Sequence, residues 1–209
     1  MDKKTLSNQQ RRLVTTALVI STLFFAMRSS AGEFPAYDAQ HLKKEEAKAY
    51  CIKNGLDTNH CILVDMSIPS GKNRLFLVNF HEIENVLKCI CSHGSCNGSS
   101  GPGYSVKGVV FSNRHGSYCS SIGKYKIGNR SYSNFGINIH YKLHGLEPTN
   151  SNAFKRVVVL HSYWAVPNEE VFPDLAPTSY GCPMVSDENM KLLDKFLANR
   201  KNVLLWVYK

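Results

Sequence analysis

The chain has 209 residues, 43% of them apolar, which is the size of one domain with enough apolar material for a core. Its formal charge is +9, yet no basic stripe with interleaved aromatics runs along it, so nucleic acid is not an expected partner. Fourteen glycines, with many Ser and Asn between short β-branched runs, point to a mainly β fold with peripheral helices (α+β) and away from a helical bundle.

Residues 1–31 read as an export leader and not as fold. Lys3, Lys4, Arg11 and Arg12 form a basic start, Leu13 to Met27 is an uncharged and mostly apolar run, and Ser29-Ser30-Ala31 offers the small residues that a signal peptidase reads. The run has 15 residues, and spanning a bilayer takes about 20. The expectation is cleavage after Ala31 and a periplasmic or secreted protein, with membrane attachment only if the leader stays uncut. Residues 1–31 carry five basic groups and one acid, so a charge of about +5 remains. That balance suits an anionic surface such as a cell wall.

Residues 32–60 read as a linker, Gly32 to Gln40, followed by a helix from His41 to Asn54. Leu42, Ala49 and Ile52 can share one face of that helix, and Gly55 can end it. The domain proper is expected over 61–209. Cys61 to Ile68 and Arg74 to Phe80 flank Pro-Ser-Gly-Lys-Asn as a hairpin. Val86 to Cys91 is a further strand, Ser92 to Tyr104 is too rich in Gly and Ser for a regular element, and Val106 to Phe111 resumes as a strand. Residues 112–136 read as polar and turn-rich. Ile137 to Leu143 alternates like a half-buried strand, and the continuous apolar run Val157 to Leu160 reads as a central one. Ser186 or Asp187 can cap a helix running to about Arg200, with Met190, Leu193, Phe196 and Leu197 on one face. Val203 to Tyr208 is a last strand.

Seven cysteines follow: Cys51, Cys61, Cys89, Cys91, Cys96, Cys119 and Cys182. In an oxidising compartment an odd count leaves one thiol over. Six lie in the first 119 residues, so three bridges among them are expected. Cys51 and Cys61 are brought near each other across a turn, whereas Cys89 and Cys91 would point to the same face of a strand and are not expected to pair with each other. Cys182 is the odd one. Cys89, Cys91, His93 and Cys96 are soft ligands close together, but their spacing is not that of a zinc knuckle and export favours disulfides, so no metal and no cofactor is assigned.

His161 ends a strand-like run and Cys182 lies in a glycine turn 21 positions on. A cysteine attacks as the thiolate, and a histidine can take its proton and later pass it to a leaving amine. Gly181 allows a sharp turn whose amides can face an oxyanion, for which Pro183 has no N–H to offer. Cys182 as nucleophile, His161 as base and Gly181 as part of the oxyanion turn are the candidate catalytic set. His144, which precedes Gly145, is the competing base. Ser179, Tyr180, His93 and Arg156 are candidate substrate contacts. The stretch Asn168 to Thr178, with prolines at 167, 173 and 177, reads as a lid between base and nucleophile.

The chain from Val64 onward resembles the L,D-transpeptidase (YkuD-like) catalytic domain, in the branch of murein L,D-transpeptidases. The matching motifs run in order: Val64 to Ser70, Ser92-His93-Gly94, Phe111-Ser112-Asn113 with Gly116-Ser117 and Ser120 to Gly123, Leu143 to Leu146, Asn150 to Ala153 with Arg156, Val158 to His161, and Ser179 to Pro183. The resemblance implies a β-sandwich or barrel and acyl transfer on peptidoglycan stem peptides. Cys182 would form a thioester as terminal D-Ala leaves, and an amine of a neighbouring stem would resolve it. Carbapenem-type inhibitors would be a second ligand class. Alternatives are an L,D-carboxypeptidase, a hydrolase of murein–protein links, and an idle wall-binding or secreted interaction protein. The chain departs from the wider family around the cysteine, where Tyr180 replaces a histidine and Pro183-Met184 replace an aliphatic residue and an Arg or Asn. The usual group for a substrate carboxylate is thus missing, and Arg114, Arg130 and Arg156 are its candidate replacements.

Overall fold

A computed structural model describes residues 36–96 and 109–209. The leader expected over 1–31 lies outside the described residues, as do residues 97–108 of the Gly/Ser-rich stretch and the start of the strand expected at Val106. The chain divides into two compact units, Met1–Gln40 and His41–Lys209. Of the first, the description covers only the opening of a helix.

That helix, α1 (Ala36–Asn54), begins inside the segment expected as linker. Its buried face is also not the expected one. Leu42 and Ile52 are exposed, whereas Lys44, Ala47 and Cys51 are buried. Spacing of three and four residues puts these on one side. Lys44 lays its aliphatic stem inward and hands its ammonium to Glu82 O, so a charged residue serves an apolar face.

Eight strands follow: β1 (His60–Asp65), β2 (Asn73–Asn79), β3 (Asn85–Ile90), β4 (Gly123–Tyr132), β5 (Ile139–Gly145), β6 (Val159–Ser162), β7 (Met184–Val185) and β8 (Leu204–Tyr208), with α2 (Asp187–Leu197) between the last two. They form one sheet in the order β3-β2-β1-β8-β4-β5-β6-β7. Pairing is antiparallel except for β1 with β8 and β6 with β7. The expected hairpin is β1–β2, with Cys61 opposite Val78. β4 forms where only turns were expected: Tyr125 and Ile127 point inward between lysines, a short alternation that Gly128 interrupts. Of the strand expected to end at Phe111, the described part is a single bridge, Phe111 to Ser120. β6 is fully buried but lies second from the end of the order, not at the centre, which β8 shares with β1 and β4.

β1 and β8 read as continuous apolar runs because both faces of the sheet are covered there. Ile62, Val64, Leu205 and Val207 pack with Leu75, Tyr125, Leu143 and Leu160 and with Met190, Leu193 and Leu197 of α2. Cys61, Leu63, Leu204 and Trp206 pack with Ala47 and Cys51 of α1 and with Val78 and Phe80. Ser186 caps α2, accepting from Asn189 N–H at 3.2 Å. No helix among the described residues is long and apolar enough to cross a membrane.

The two ends of the strand order meet. Ser92 N–H, just past β3, donates to Met184 O of β7 at 2.8 Å. Ser179 N–H donates to His93 O and Ser95 N–H to Ser179 O, each at 2.8 Å. The sheet therefore curls into a nearly closed barrel, and the seam falls on the candidate residues.

Candidate active site

The turn Tyr180–Pro183 is an excursion from that seam. Ser179 before it and Met184 after it both hydrogen-bond to the segment Ser92–Ser95, so the four residues between project as a loop with Cys182 in it. Gly181 has φ +115°, in the region that side chains avoid, and a Cβ there would stand 2.7 Å from Cys119 O. Ser179 closes the turn from within: its hydroxyl donates to Cys182 O at 2.6 Å and accepts Gly181 N–H at 3.0 Å. Gly181 N–H is thus engaged. Ser120 Oγ donates to Gly181 O at 3.2 Å and accepts Gly94 N–H at 3.0 Å, tying the turn to a third segment, Ser120 to Gly123, one of the stretches that carries the family resemblance.

Parallel pairing sets His161 opposite Met184. Two residues back along each strand, Val159 N–H donates to Cys182 Sγ at 3.4 Å, and the thiol in turn lies 3.8 Å from Val157 O. Val159 and His161 share a face of β6, about 7 Å apart along the strand. The thiol's partners are these two backbone groups and not the imidazole. Val157 holds φ 57°, unusual for a β-branched residue, and its carbonyl is the thiol's acceptor.

His161 is buried, and its Nδ1 lies 2.9 Å from Ser162 O. A carbonyl only accepts, so Nδ1 carries the ring proton and Nε2 keeps its lone pair. Burial lowers the imidazole's pKa below the usual histidine value, against the pull of the Ser162 carbonyl and with help from His140. Phe135 packs on the ring at 5.7 Å between centroids. Burial raises the half-buried Cys182 thiol, with Val159 N–H and Arg156 opposing. The resting pair is therefore a neutral thiol and a neutral imidazole, not the thiolate–imidazolium pair. His144 lies on β5, one strand further from Cys182, stacked on Phe154 at 4.8 Å.

His93 lies under the turn rather than on its surface. It is 4% exposed, its Nδ1 is 2.8 Å from Arg74 Nη2, and its Nε2 is buried with no hydrogen-bond partner. Burial first, then Arg74, brings its pKa down to about 4. Tyr180 is exposed and packs on Tyr118 at 4.9 Å, forming one rim. Arg156 donates to Ser112 O, Ser121 Oγ and Cys119 O at 2.8, 2.6 and 2.6 Å, and its Nη2 is 3.2 Å from where a Gly181 Cβ would be. Of the three arginines weighed for a carboxylate, Arg156 is the one beside the cysteine turn. Arg130 is paired with Asp194 through two bonds of 2.7 and 3.1 Å on α2, and Arg114 lies exposed on the 112–117 turn.

The cysteines correct the expected framework. Among the described residues one bridge forms, Cys96–Cys119, and Cys51, Cys61, Cys89, Cys91 and Cys182 are free. Cys51 and Cys61 are packed as small apolar residues between α1 and the sheet, and Cys89 and Cys91 lie in the main core. Proximity in sequence did not decide pairing. The bridge instead joins the segment Ser92–Cys96 to the segment carrying Ser120. The four soft ligands around His93 do not converge, since Cys96 is bridged and His93 Nδ1 faces Arg74.

The expected lid is pinned to the β1–β2 turn. Val171 and Phe172 N–H donate to Gly71 O at 2.8 and 3.1 Å, and Glu170 accepts Asn73 N–H at 2.9 Å. A side chain at Gly71 would meet Asp174 O at 1.8 Å.

A family profile described as the L,D-transpeptidase catalytic domain matches residues 34–208. Among curated proteins none matches. Similar solved structures include a mutant of the helical cell shape determining protein Pgp2 from Campylobacter jejuni, 11% identical with a TM-score of 0.48, over 84% of this chain and 57% of that one. The L,D-transpeptidase of Xylanimonas cellulosilytica is 14% identical with a TM-score of 0.39, over 77% and 68%. L,D-transpeptidase 3 of Mycobacterium tuberculosis, solved with a faropenem-derived adduct, is 12% identical with a TM-score of 0.38, over 72% and 60%. The chain thus spans little more than half the length of the first of these.

Proposed function

Because the chain belongs to the L,D-transpeptidase catalytic domain family, we propose that it is an exported cysteine acyltransferase acting on peptidoglycan stem peptides. The observation that carries the reading is the arrangement on β6: Val159 N–H on Cys182 Sγ at 3.4 Å, and His161 two residues along with a lone pair on Nε2.

In this reading a stem-peptide carbonyl enters over the turn and Cys182 leaves its contact with Val157 O. His161 Nε2 takes the thiol proton as sulfur attacks, forming the C–S bond and an oxyanion. Gly181 N–H is engaged with Ser179, so the oxyanion falls to Cys182 N–H, with Arg156 supplying charge. Collapse breaks the C–N bond, and His161 returns its proton to the leaving D-Ala amine. The thioester is then attacked by an amine of a second stem, whose proton passes to His161, and the thiol is regenerated. Water in place of that amine gives a carboxypeptidase product. Tyr180 and Tyr118 form a wall for the stem, and Ser179 and His93 support the turn from inside.

The test is intact-mass measurement after incubation with a tetrapeptide stem or a carbapenem. A stoichiometric adduct on Cys182, absent in Cys182→Ala, is expected; a protein that stays unmodified and turns over neither compound would remove the reading.

A further inference from the structure

Arg74 is almost wholly buried, at 1% exposure, and it has no carboxylate partner among the described residues. A buried guanidinium is normally paired, because taking the charge out of water is costly. Here burial lowers its pKa to about 10, with Cys91 and Asp65 opposing, so it stays charged at neutral pH. Asp65 Oδ1 is itself occupied by the N–H and hydroxyl of Ser67.

What Arg74 does hold is one short segment. Its Nε donates to Cys91 O at 2.7 Å, Nη2 donates to His93 Nδ1 at 2.8 Å, and Nη1 reaches Ile68 O at 3.1 Å. A guanidinium can only donate, so His93 Nδ1 is the acceptor and its proton sits on Nε2. The ladder between β2 and β3 shifts register between Asn73 and Leu75, which is where Arg74 sits. A bulge of this kind re-aims a side chain, and such bulges are frequent beside active sites. The segment so held, Cys91 to Ser95, is the one from which both ends of the cysteine turn hang, through Ser92 N–H to Met184 O and through His93 O and Ser95 N–H to Ser179.

We propose that Arg74 is a positioning residue for the nucleophile: through Cys91 and His93 it fixes the segment that suspends the Tyr180–Pro183 turn, and so fixes Cys182 Sγ against Val159 N–H. The role of Arg74 rests on the transpeptidase reading only for its effect on turnover, and its effect on the thiol is independent of it. Loss of the fork lets the turn drift, the sulfur loses Val159 N–H and the nearby Arg156, and the thiolate becomes harder to form.

The full chain is used, with Arg74→Lys as the first variant because it keeps the charge and loses the fork. For the folded variant, kcat on a tetrapeptide stem is expected to fall at least ~10-fold with KM within about twofold, as for an interaction lost in the transition state alone. The pH profile of Cys182 alkylation by iodoacetamide is expected to move to higher pH. A lowered Tm with kcat and the alkylation profile unchanged would mark Arg74 as merely structural and overturn the proposal. If Arg74→Lys fails to fold, His93→Gln carries the test. It leaves the bonds to Cys91 O and Ile68 O in place and should give a smaller shift of the same sign, and an unchanged profile there would also overturn it. If the wild type itself turns over no stem peptide, the transpeptidase reading falls, while the alkylation profiles still decide the role of Arg74.

Discussion

Val159 N–H points at Cys182 Sγ from 3.4 Å, and that one bond ties β6 both to the sulfur and to the imidazole proposed as its base. The strand holds the sulfur by its backbone at one position and presents the His161 ring two positions later. The pair is set by pleat spacing and strand register. A shift of β7 by one residue would separate them by turning the cysteine's neighbours to the other face.

The resting ionisation follows from burial, and rate profiles should show it. His161 is held below its ordinary value of 6.5 and Cys182 above 9.0. If the neutral His161 imidazole is the base, as proposed, kcat/KM for acylation should rise with pH through a midpoint below 6.5 and stay flat until the thiol ionises. Alkylation of Cys182, which needs the thiolate, should climb only above pH 9. An alkylation plateau already reached near pH 6 would mean a resting thiolate–imidazolium pair.

His161→Gln should slow acylation by at least ~100-fold, the ordinary worth of a positioned base. His144→Gln should leave it within a fewfold, since that ring is stacked on Phe154 a strand away. The comparison is a burst-phase measurement with both variants, and reversed effects would exchange the two assignments.

Thiol counting separates the single bridge from the three that the sequence suggested. In the folded protein an alkylating agent should label Cys182 alone, because Cys51, Cys61, Cys89 and Cys91 each have no exposure. In denaturant without reductant all five free thiols should react. Peptide mass mapping gives both numbers, and one labelled thiol in denaturant would restore the older framework.

Gly71→Ala should free the lid. The added methyl would collide with Asp174 O, which breaks the bonds from Val171 and Phe172 to Gly71 O. Faster hydrogen exchange over residues 168–178 and a severalfold higher KM are expected, with kcat changed less. Unaltered exchange there would show that the segment is held by other contacts.

Stability should fall in acid through His93. Its folded pKa is about 4 against 6.5 when unfolded. The unfolded chain therefore binds the proton first, so the contribution is complete above pH 6.5 and is lost as pH drops towards 4. The shift is worth about 3 kcal/mol at most. In thermal melts His93→Gln should flatten the decline over that window, and a parallel decline in both proteins would assign it to other groups.

Strand positions with clean apolar runs were legible in the sequence, as β1, β2, β3, β5, β6 and β8 each lie within a few residues of their expected places. β4 was not, because its inward residues are only Tyr125 and Ile127 among lysines and glycines, and it becomes a strand through pairing with β5 and β8. The α1 face was misread because Lys44 and Cys51 look polar or crosslinked in sequence and prove to be packing groups. At the site, Cys182, His161 and Gly181 stand out by motif. The donors that hold them do not, since Val159 N–H and His93 O are backbone groups, and Arg74 is 108 positions from Cys182 in a stretch with no local signal.

The position of β8 has a consequence for assembly. It follows every other strand in sequence, yet β1 pairs with it on one side and β4 on the other. Until residues 204–208 arrive, β1 and β4 face each other with bare edges, and only the seam between β3 and β7 can hold the two halves together. Such long-range closure is slow, and unpaired edges invite other chains. A chain cut short before Leu204 should collect as aggregate, and a cysteine that needs the seam would never be armed.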